Sequence, residues 1–443
     1  MEASELHRRL EMLGADVVHV GLFDYSTAFR ERRLRRAELI AQAGTAVFAN
    51  VLPKWDSAEV LLFPGPYQSE AITLDPESLR PYPFEPDAAA MVADYAGPQK
   101  AISPRPLLAR QLARAESLGY EVLAAFELEF LVLEETAQSL RSKGFANPAM
   151  FAPDNRCWSG LTAATHAEFV AGLEGLLTSA DIGVHSLGVE LGPGCFEATL
   201  RHKPAMRAAD DMAFFRLFTR AHCRRQGRTA SFMPVLGDGF PAIGGHITLS
   251  LRERHGGRNL FAGEAPNQDL SATARSFMAG IIDLVPEAFA MLGHSVNAYR
   301  RLAPGSWAPK TASWAAYNYA AAVRVASETP EATRLECRLP GSDVNPYLGL
   351  ALLVGAGLDG VERKAPLDAA PITGGGPSEI PDGVARLPVD LLDATRRFRA
   401  SKKAIELFGA PFVEHFATVC EAEDASLRRA VSASEVRRYL ESG

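Results

Sequence analysis

The sequence predicts an α+β protein in two unequal units, 1–100 and 101–443. Segments of strand and helix character alternate without a fixed internal repeat or heptad array. The text around Ala96 to Ser103 becomes polar and Gly/Pro-marked, as at a domain boundary. With 47% hydrophobic and 22% charged residues, the 443-residue chain has the balance of a globular protein with a sizeable core. Lys and Arg number 46 against 53 Asp and Glu, a net charge of −7, which disfavours nucleic acid or an anionic membrane as partner. The basic clusters Arg30 to Arg36 and Arg224 to Arg228 are short and read as solvated faces. No stretch has the length of a membrane span, and the charged start MEASELHRRLEMLG is unlike a secretory signal. Cys157, Cys195, Cys223, Cys337 and Cys420 are widely spaced and form no CxxC pair, so reduced thiols in a cytoplasmic protein are expected.

In chain order, residues 3–14 carry apolar positions at helical spacing, VVHVGLFD (17–24) reads as a strand, and FRERRLRR alternates after a turn. Pro64, Pro66, Pro76, Pro81, Pro83 and Pro86 should break any long element. Ser103-Pro104 suits an N-cap and first turn, predicting a helix over 105–118. YEVLAAFELEFLVLE (120–134) is a long strand, and residues 184–200 form two strands around Gly192-Pro193-Gly194. A helix follows from Lys203-Pro204 to Gly227, then strands over 229–236 and 244–251. Helices are expected over 268–293, 314–327 and 345–362, with two or three more in 388–441, and a surface loop over 372–383.

Candidate chemistry begins with Glu127 and Glu129, which share one face of a strand whose other face is Phe126, Leu128 and Phe130. Paired carboxylates on an apolar strand repel unless a cation lies between them or the strand is a solvated edge. Glu190 and Glu197 flank the GPG turn, His246 opens another strand after two glycines, and Glu336 sits in TRLECRL. Five carboxylates and one imidazole suit Mg²⁺ or Mn²⁺ better than zinc. Arg301, Arg324, Arg334 and Arg338 supply groups shaped for carboxylate and phosphate oxygens. Carboxylates for metal and arginines for anions make an inventory for phosphoryl transfer. GxxxxGK[ST], HExxH and GxSxG are absent, so any ATP site lacks a P-loop.

The order FELEF, VELGPGCFE, FMPVLGDGFPAIGGHITLSL, NAYRRLAPGSWAP and RLECRLPGSDVNPYL resembles the glutamine synthetase family, class I-like, in its γ-glutamyl-amine ligase character. The resemblance implies an N-terminal β-grasp domain and a catalytic domain built on a curved antiparallel sheet flanked by helices. It further implies an ATP-dependent ligase with two Mg²⁺ or Mn²⁺ ions, in a homo-oligomer such as a dodecamer of two stacked hexameric rings, with sites between subunits. By motif, Glu129, Glu190 and Glu197 would hold the metal nearer the acceptor, and Glu127, His246 and Glu336 the metal under the ATP phosphates. Arg324 and Arg334 match phosphate contacts, Arg338 the γ-carboxylate and its phosphate, Arg301 the glutamate α-carboxylate, and Ser250 a nucleotide contact. Gly244 falls in the substrate loop, and Asp24 matches the aspartate that enters the neighbouring subunit's site to bind and deprotonate ammonium.

Departures sharpen the reading. Trp307, in GSWAP, stands where ammonia-using members carry a glutamate, and an indole suits an organic amine better than ammonium alone. Tyr319 replaces an arginine, Pro241-Ala242-Ile243-Gly244 replaces an asparagine-glycine loop, and Cys195 replaces a glutamine. Gly188 and Thr248 stand where histidines often flank the nucleotide, and 366–384 lacks the tyrosine of the family's adenylylation loop. The expected activity is amide formation between the γ-carboxylate of glutamate, or a similar amino acid, and an amine through an acyl phosphate. Glutamine synthesis from ammonia and a catalytically silent family member are the alternatives.

Overall fold

The structure is a computed structural model and describes residues 3–263, 270–303, 305–374 and 384–440. Two sheets organise it. The first, in the order β2-β1-β5-β4-β3, contains β1 (Val17–Phe23), β2 (Phe29–Arg35), β3 (Val47–Ala49), β4 (Ser69–Pro81) and β5 (Ala88–Tyr95). Helices α1 (Ala3–Met12) and α2 (Arg36–Ala41) accompany it. β1 and β5 run parallel at the centre and the other pairings are antiparallel. Every residue of β1 is buried: Val18, Val20 and Leu22 join Leu6, Leu10 and Met91 in the small core, while Phe23 joins the large one. The arginines of β2 lie on an edge strand, where charge discourages pairing with another chain.

Pro76 does not break β4, contrary to expectation, because its pairing with β5 skips from Asp75 to Arg80 in a bulge that removes the need for ladder N–H groups there, while Pro81 is the last residue of the strand.

His19 on β1 is 6% exposed, lies 2.9 Å from Glu31 and 3.1 Å from Glu85, and stacks on Tyr82. Burial opposes its charge, but the two carboxylates outweigh it and raise its pKa. A raised folded-state pKa gives stability that is full below the unfolded value and lost as pH rises through the folded one. His19→Gln should therefore open a wider gap in melting temperature from the parent protein at pH 6 than at pH 9. An equal gap at both pH values would count against the charged pairing.

The larger unit is built on a curled sheet in the order β12-β13-β14-β11-β6-β8-β7, with β9 and β10 also pairing with β6. In chain order it comprises α3 (Pro104–Ser117), β6 (Tyr120–Leu133), α4 (Ala137–Ser142), α5 (Gly160–Thr165), α6 (Ala167–Ser179), β7 (Val184–Val189), β8 (Cys195–Leu200) and β9 (Lys203–Pro204). Then follow α7 (Ala205–Arg225), β10 (Thr229–Ser231), β11 (Gly245–Glu253), α8 (Ala272–Ala288), α9 (Val296–Arg300), β12 (Trp314–Ala316), β13 (Val323–Ala326) and β14 (Arg334–Cys337). The chain closes with α10 (Pro346–Glu362), α11 (Leu391–Ala400), α12 (Lys402–Phe408), α13 (Ala410–Arg429) and α14 (Ala433–Tyr439). All pairings in this sheet except β12 with β13 are antiparallel. α10 is buried along nearly its whole length and packs on α8, where Gly280 and Gly360 let the backbones meet: a Cβ on Gly280 would lie 2.1 Å from the Ala356 carbonyl oxygen. Among the described residues, no helix is long and apolar enough to cross a membrane.

Several expectations need correction. Residues 314–327 are not a helix but β12, β13 and the turn between them: the alanines suggested helix, whereas Val323 and Val325 alternate with Arg324 across a sheet. The strand expected over 229–236 stops at Ser231, ahead of Pro234. The segment expected as one helix over 268–293 is α8 followed by a 3₁₀ turn over Phe289–Met291. Among the described residues four helices, not two or three, occupy the C-terminal segment, broken at Ser401, at Gly409, whose φ is +87°, and over 430–432. Ser103 does precede α3, but its hydroxyl donates to the Gln99 carbonyl instead of capping the helix. Most of the loop expected over 372–383 lies outside the described residues.

Candidate active site

β6 is an inner strand, paired with β11 on one side and β8 on the other, so the solvated-edge explanation for Glu127 and Glu129 fails. Register then gathers the remaining groups. His246 of β11 stands opposite Glu127, Glu197 of β8 opposite Glu129, Glu336 of β14 opposite Thr248, and Arg324 of β13 opposite Glu336. Five strands thus put carboxylates, an imidazole and a guanidinium group on one face.

Glu127, His246 and Glu336 form a cluster whose ligand atoms all lie within 4.8 Å of one another. His246 Nδ1 is 2.9 Å from Glu127 Oε1 and 3.6 Å from Glu336 Oε1, with the ring and Glu336 both buried. Arg324 Nε donates to Glu336 Oε2 at 2.7 Å and Arg338 Nη1 to Glu336 Oε1 at 2.6 Å. Burial pushes the His246 pKa down against the pull of Glu127 and Glu336, which favours the neutral ring that a metal ligand requires. Burial also opposes the charge on Glu127, but His246, Arg338 and Arg324 hold its pKa below the ordinary carboxylate range.

The second trio is not gathered in this way. Glu129 accepts a hydrogen bond from the Gly244 N–H at 3.0 Å; burial pushes its pKa up to about 7, against the pull of Arg301. The Glu197 pKa is raised by burial and then by Glu127, Glu129 and Glu190. Glu190 turns aside to accept from the Trp158 indole N–H at 2.7 Å, the Leu191 N–H at 2.9 Å and the Cys157 thiol at 3.5 Å. Among the described residues, the Glu127 group alone meets the 4.8 Å criterion, so the expected six-ligand set is realised as one close trio and one open trio. Repulsion among neighbouring carboxylates favours such spreading, each taking the donors within its reach. The donor set nevertheless fits hard divalent cations, because five neighbouring carboxylates exceed what Arg301, Arg324 and Arg338 neutralise, and Glu197 bears the mismatch.

Around the carboxylates, Arg301 is 5% exposed and is oriented by one bond from each Nη, to the Leu339 and Arg338 carbonyls at 2.9 and 3.3 Å, which leaves further N–H groups free to donate. Gly244 admits no side chain: a Cβ there would lie 2.6 Å from His246 Nε2 and 3.0 Å from Arg301 Nη2. Ser250 lies on β11 at the same parity as His246, two alternations along the strand. Tyr319 spans the arginine pair, its ring centroid 4.6 Å from the Arg324 guanidinium and 5.1 Å from that of Arg338, and its carbonyl accepts from Arg338 Nε.

Three expected site residues stand apart from the cluster within this chain. Arg334 pairs with Glu328 at 2.7 Å near the surface. Trp307 is 58% exposed on a turn beyond Arg301. Asp24 is buried, accepting from the Ala28 N–H at 2.9 Å and from Arg30 Nε at 2.8 Å, and lines a cavity of about 530 Å³ with Arg216, His294 and Asp343. The sequence points to the 136–163 loop with Trp158 as bearing on the amine, but neither the contact of Cys157 and Trp158 with Glu190 nor Ser342, whose hydroxyl donates to the Glu129 carbonyl, was legible in it. An isolated tryptophan in the polar run DNRCWSG was the one available signal.

Residues 101–439 match the glutamine synthetase catalytic domain. The chain belongs to the glutamine synthetase family. Among its curated relatives in this family, a glutamate–isopropylamine ligase of Pseudomonas sp is 29% identical over 98% of this chain and 96% of its own. The γ-glutamylethanolamide synthetase GlnA4 of Streptomyces coelicolor is 30% identical over 85% of this chain and 80% of its own. A solved GmaS/ADP complex superposes with a TM-score of 0.82 at 26% identity, covering 98% of this chain and 99% of that one. The matched domain contains both trios and all four arginines, so within the family the cluster lies in the catalytic domain.

Proposed function

We propose that this chain is an ATP-dependent ligase that joins the γ-carboxylate of glutamate to a primary amine through an acyl phosphate, with Mg²⁺ or Mn²⁺. The observation that carries the reading is the Glu127–His246–Glu336 cluster, braced by Arg324 and Arg338, in a family whose similar members include two named for organic amines. The family's divalent cations, when bound, supply positive charge that offsets the phosphoryl oxygens. Glu127, His246 and Glu336 would hold one of them and Glu129, Glu190 and Glu197 the other.

Arg301 takes the glutamate α-carboxylate, and Arg338 orients the γ-carboxylate. Arg324 and Arg334 contact phosphate oxygens, and Ser250 lies on the nucleotide side. A γ-carboxylate oxygen attacks the terminal phosphorus of ATP, ADP leaves, the amine nitrogen attacks the acyl carbon, and phosphate departs. The amine must first shed a proton, for which Asp24 of a neighbouring subunit is the assigned acceptor. Trp307 gives the amine's organic part an apolar wall. This reading includes a cytoplasmic homo-oligomer, a dodecamer of two stacked hexameric rings with sites between subunits, and a domain boundary near residue 100.

The test is phosphate release with ATP, Mg²⁺ or Mn²⁺ and glutamate against a panel of amines. Release should require both glutamate and an alkylamine, with ammonia a poor partner. Strong turnover with ammonia and none with any amine would overturn the amine assignment.

A further inference from the structure

Arg216 and Arg220 stand one turn apart on α7, and both line the cavity of about 530 Å³ that Asp24 borders. Its size falls in the roughly 300–1,000 Å³ range of small-molecule sites. Arg216 is 3% exposed; its Nη1 donates to the Asp343 and Val344 carbonyls at 3.2 and 3.1 Å, and its Nε has no acceptor. Arg220 has neither an ion pair nor a hydrogen bond among the described residues, and both guanidinium groups lie over the Phe232 ring, 5.5 and 5.1 Å from its centroid. Burial and then the repulsion of Arg220 push the Arg216 pKa down to about 9.

The acids of the cavity do not pair with these two arginines. Asp24 is taken by the Ala28 N–H and Arg30, Asp56 by the Ala58 and Val60 N–H groups, both at 2.9 Å, and Glu423 by the Ser57 hydroxyl at 2.6 Å. Asp343 accepts from Ser295 through Oδ2 at 2.5 Å, which leaves its Oδ1 buried without a donor, and His294 Nδ1 is buried without a partner as well. The cavity thus offers unpaired donors and an unpaired acceptor together. A buried polar group without a partner costs stability, and a ligand that supplies the partner recovers that cost.

We infer that this cavity is a second small-molecule site whose ligand is a free α-amino acid, the carboxylate held by Arg216 and Arg220 and the ammonium by Asp343. A lone anion would meet the carboxylates of Asp343, Asp24, Asp56 and Glu423, and a lone cation would meet two guanidinium groups without counter-ions. A zwitterion suits both. The site shares with the ligase reading only Asp24, which is not needed for binding, so the two stand or fall separately.

Isothermal titration of the full chain without ATP or divalent ions tests this, against a panel of α-amino acids from glycine to L-tryptophan, with acetate and methylamine as half-ligands. At least one amino acid should bind saturably, and about tenfold or more tighter than either half-ligand, which makes only one of the charged contacts. Arg220→Gln should weaken binding by about tenfold, and Asp343→Asn, which keeps the Ser295 bond and loses the charge, by about the same factor. Arg301→Gln, at the candidate active site, should leave it unchanged, which separates this cavity from a glutamate bound beside the carboxylate cluster. Trp55 lines the cavity, so the bound amino acid should give the parent protein a saturable change in tryptophan fluorescence that is lost in Trp55→Phe. Melting temperatures close to the parent show that each variant is folded. No binding by any amino acid, as when a loop of a neighbouring copy fills the cavity, overturns the inference. Binding that Arg301→Gln abolishes and Arg220→Gln spares overturns it too, as does a fluorescence change that persists in Trp55→Phe. If the same protein binds an amino acid here but ligates no amine, the ligase reading falls and this site remains.

Discussion

Glu336→Ala is expected to lower ATP-dependent phosphate release by about 10²–10³-fold or more with every amine. Glu336 is 3% exposed, closes the only group of three ligand-type side chains within 4.8 Å among the described residues, and accepts from both Arg324 and Arg338. Its removal takes one carboxylate from the cluster and leaves the Arg324 and Arg338 guanidinium groups without their shared acceptor. Glu336→Gln keeps the volume and loses the charge, and should lose nearly as much activity. Mn²⁺ binding, followed by electron paramagnetic resonance without substrates, should weaken by about 10–100-fold in both variants. Normal Mn²⁺ affinity together with normal turnover in Glu336→Gln would remove this cluster from the mechanism. Thermal melting of each variant shows whether the fold itself survived.

Arg105→Ala should be among the most destabilising single substitutions in the chain, by about 3–5 kcal/mol. Arg105, on the first turn of α3 and 5% exposed, makes a two-pronged ion pair with Asp210 of α7 at 2.9 Å for each contact, and also pairs with Asp94 of β5 and Asp75 of β4. It therefore joins the small sheet to the main helix behind the large one. Asp210 is 1% exposed and also accepts from the Tyr347 hydroxyl at 2.8 Å. Without the guanidinium, buried Asp210 and half-buried Asp94 are left beside one another with no cation between them. Arg105→Lys keeps one charge but cannot reproduce the fork, so it should fall between the parent and the alanine variant. Urea unfolding of the three proteins checks the order, and an alanine variant within about 1 kcal/mol of the parent would refute it. The same bracket couples Asp24, on the turn after β1, to the larger unit, because Asn345 donates to the Asp24 and Tyr25 carbonyls from the start of α10.

Much of this was legible in the chain itself. Alternation alone placed Glu127 and Glu129 on one face of a strand, the GPG turn placed Glu197 on a strand though Glu190 falls one residue past the end of β7, and the ordered motifs gave the family. Local patterning failed where two structures use similar residues. The alanines of 314–327 satisfy helix propensity, yet Val323 and Val325 are consumed by pairing with β14, a contact no local window contains. Pro76 failed as a breaker for the same kind of reason, since a bulge depends on the partner strand.

The sequence by itself determined which groups are available: five carboxylates, one imidazole, four arginines and the elements that carry most of them. Tertiary structure alone decided which of these meet. Strand register set His246 against Glu127 and Glu197 against Glu129, because side-chain facing is fixed by pairing across strands more than a hundred or about seventy residues apart in the chain. It also decided that Glu190 answers to Trp158, since that contact depends on Asn155 folding a loop back onto a turn, a long-range hydrogen bond with no trace in the spacing of either segment.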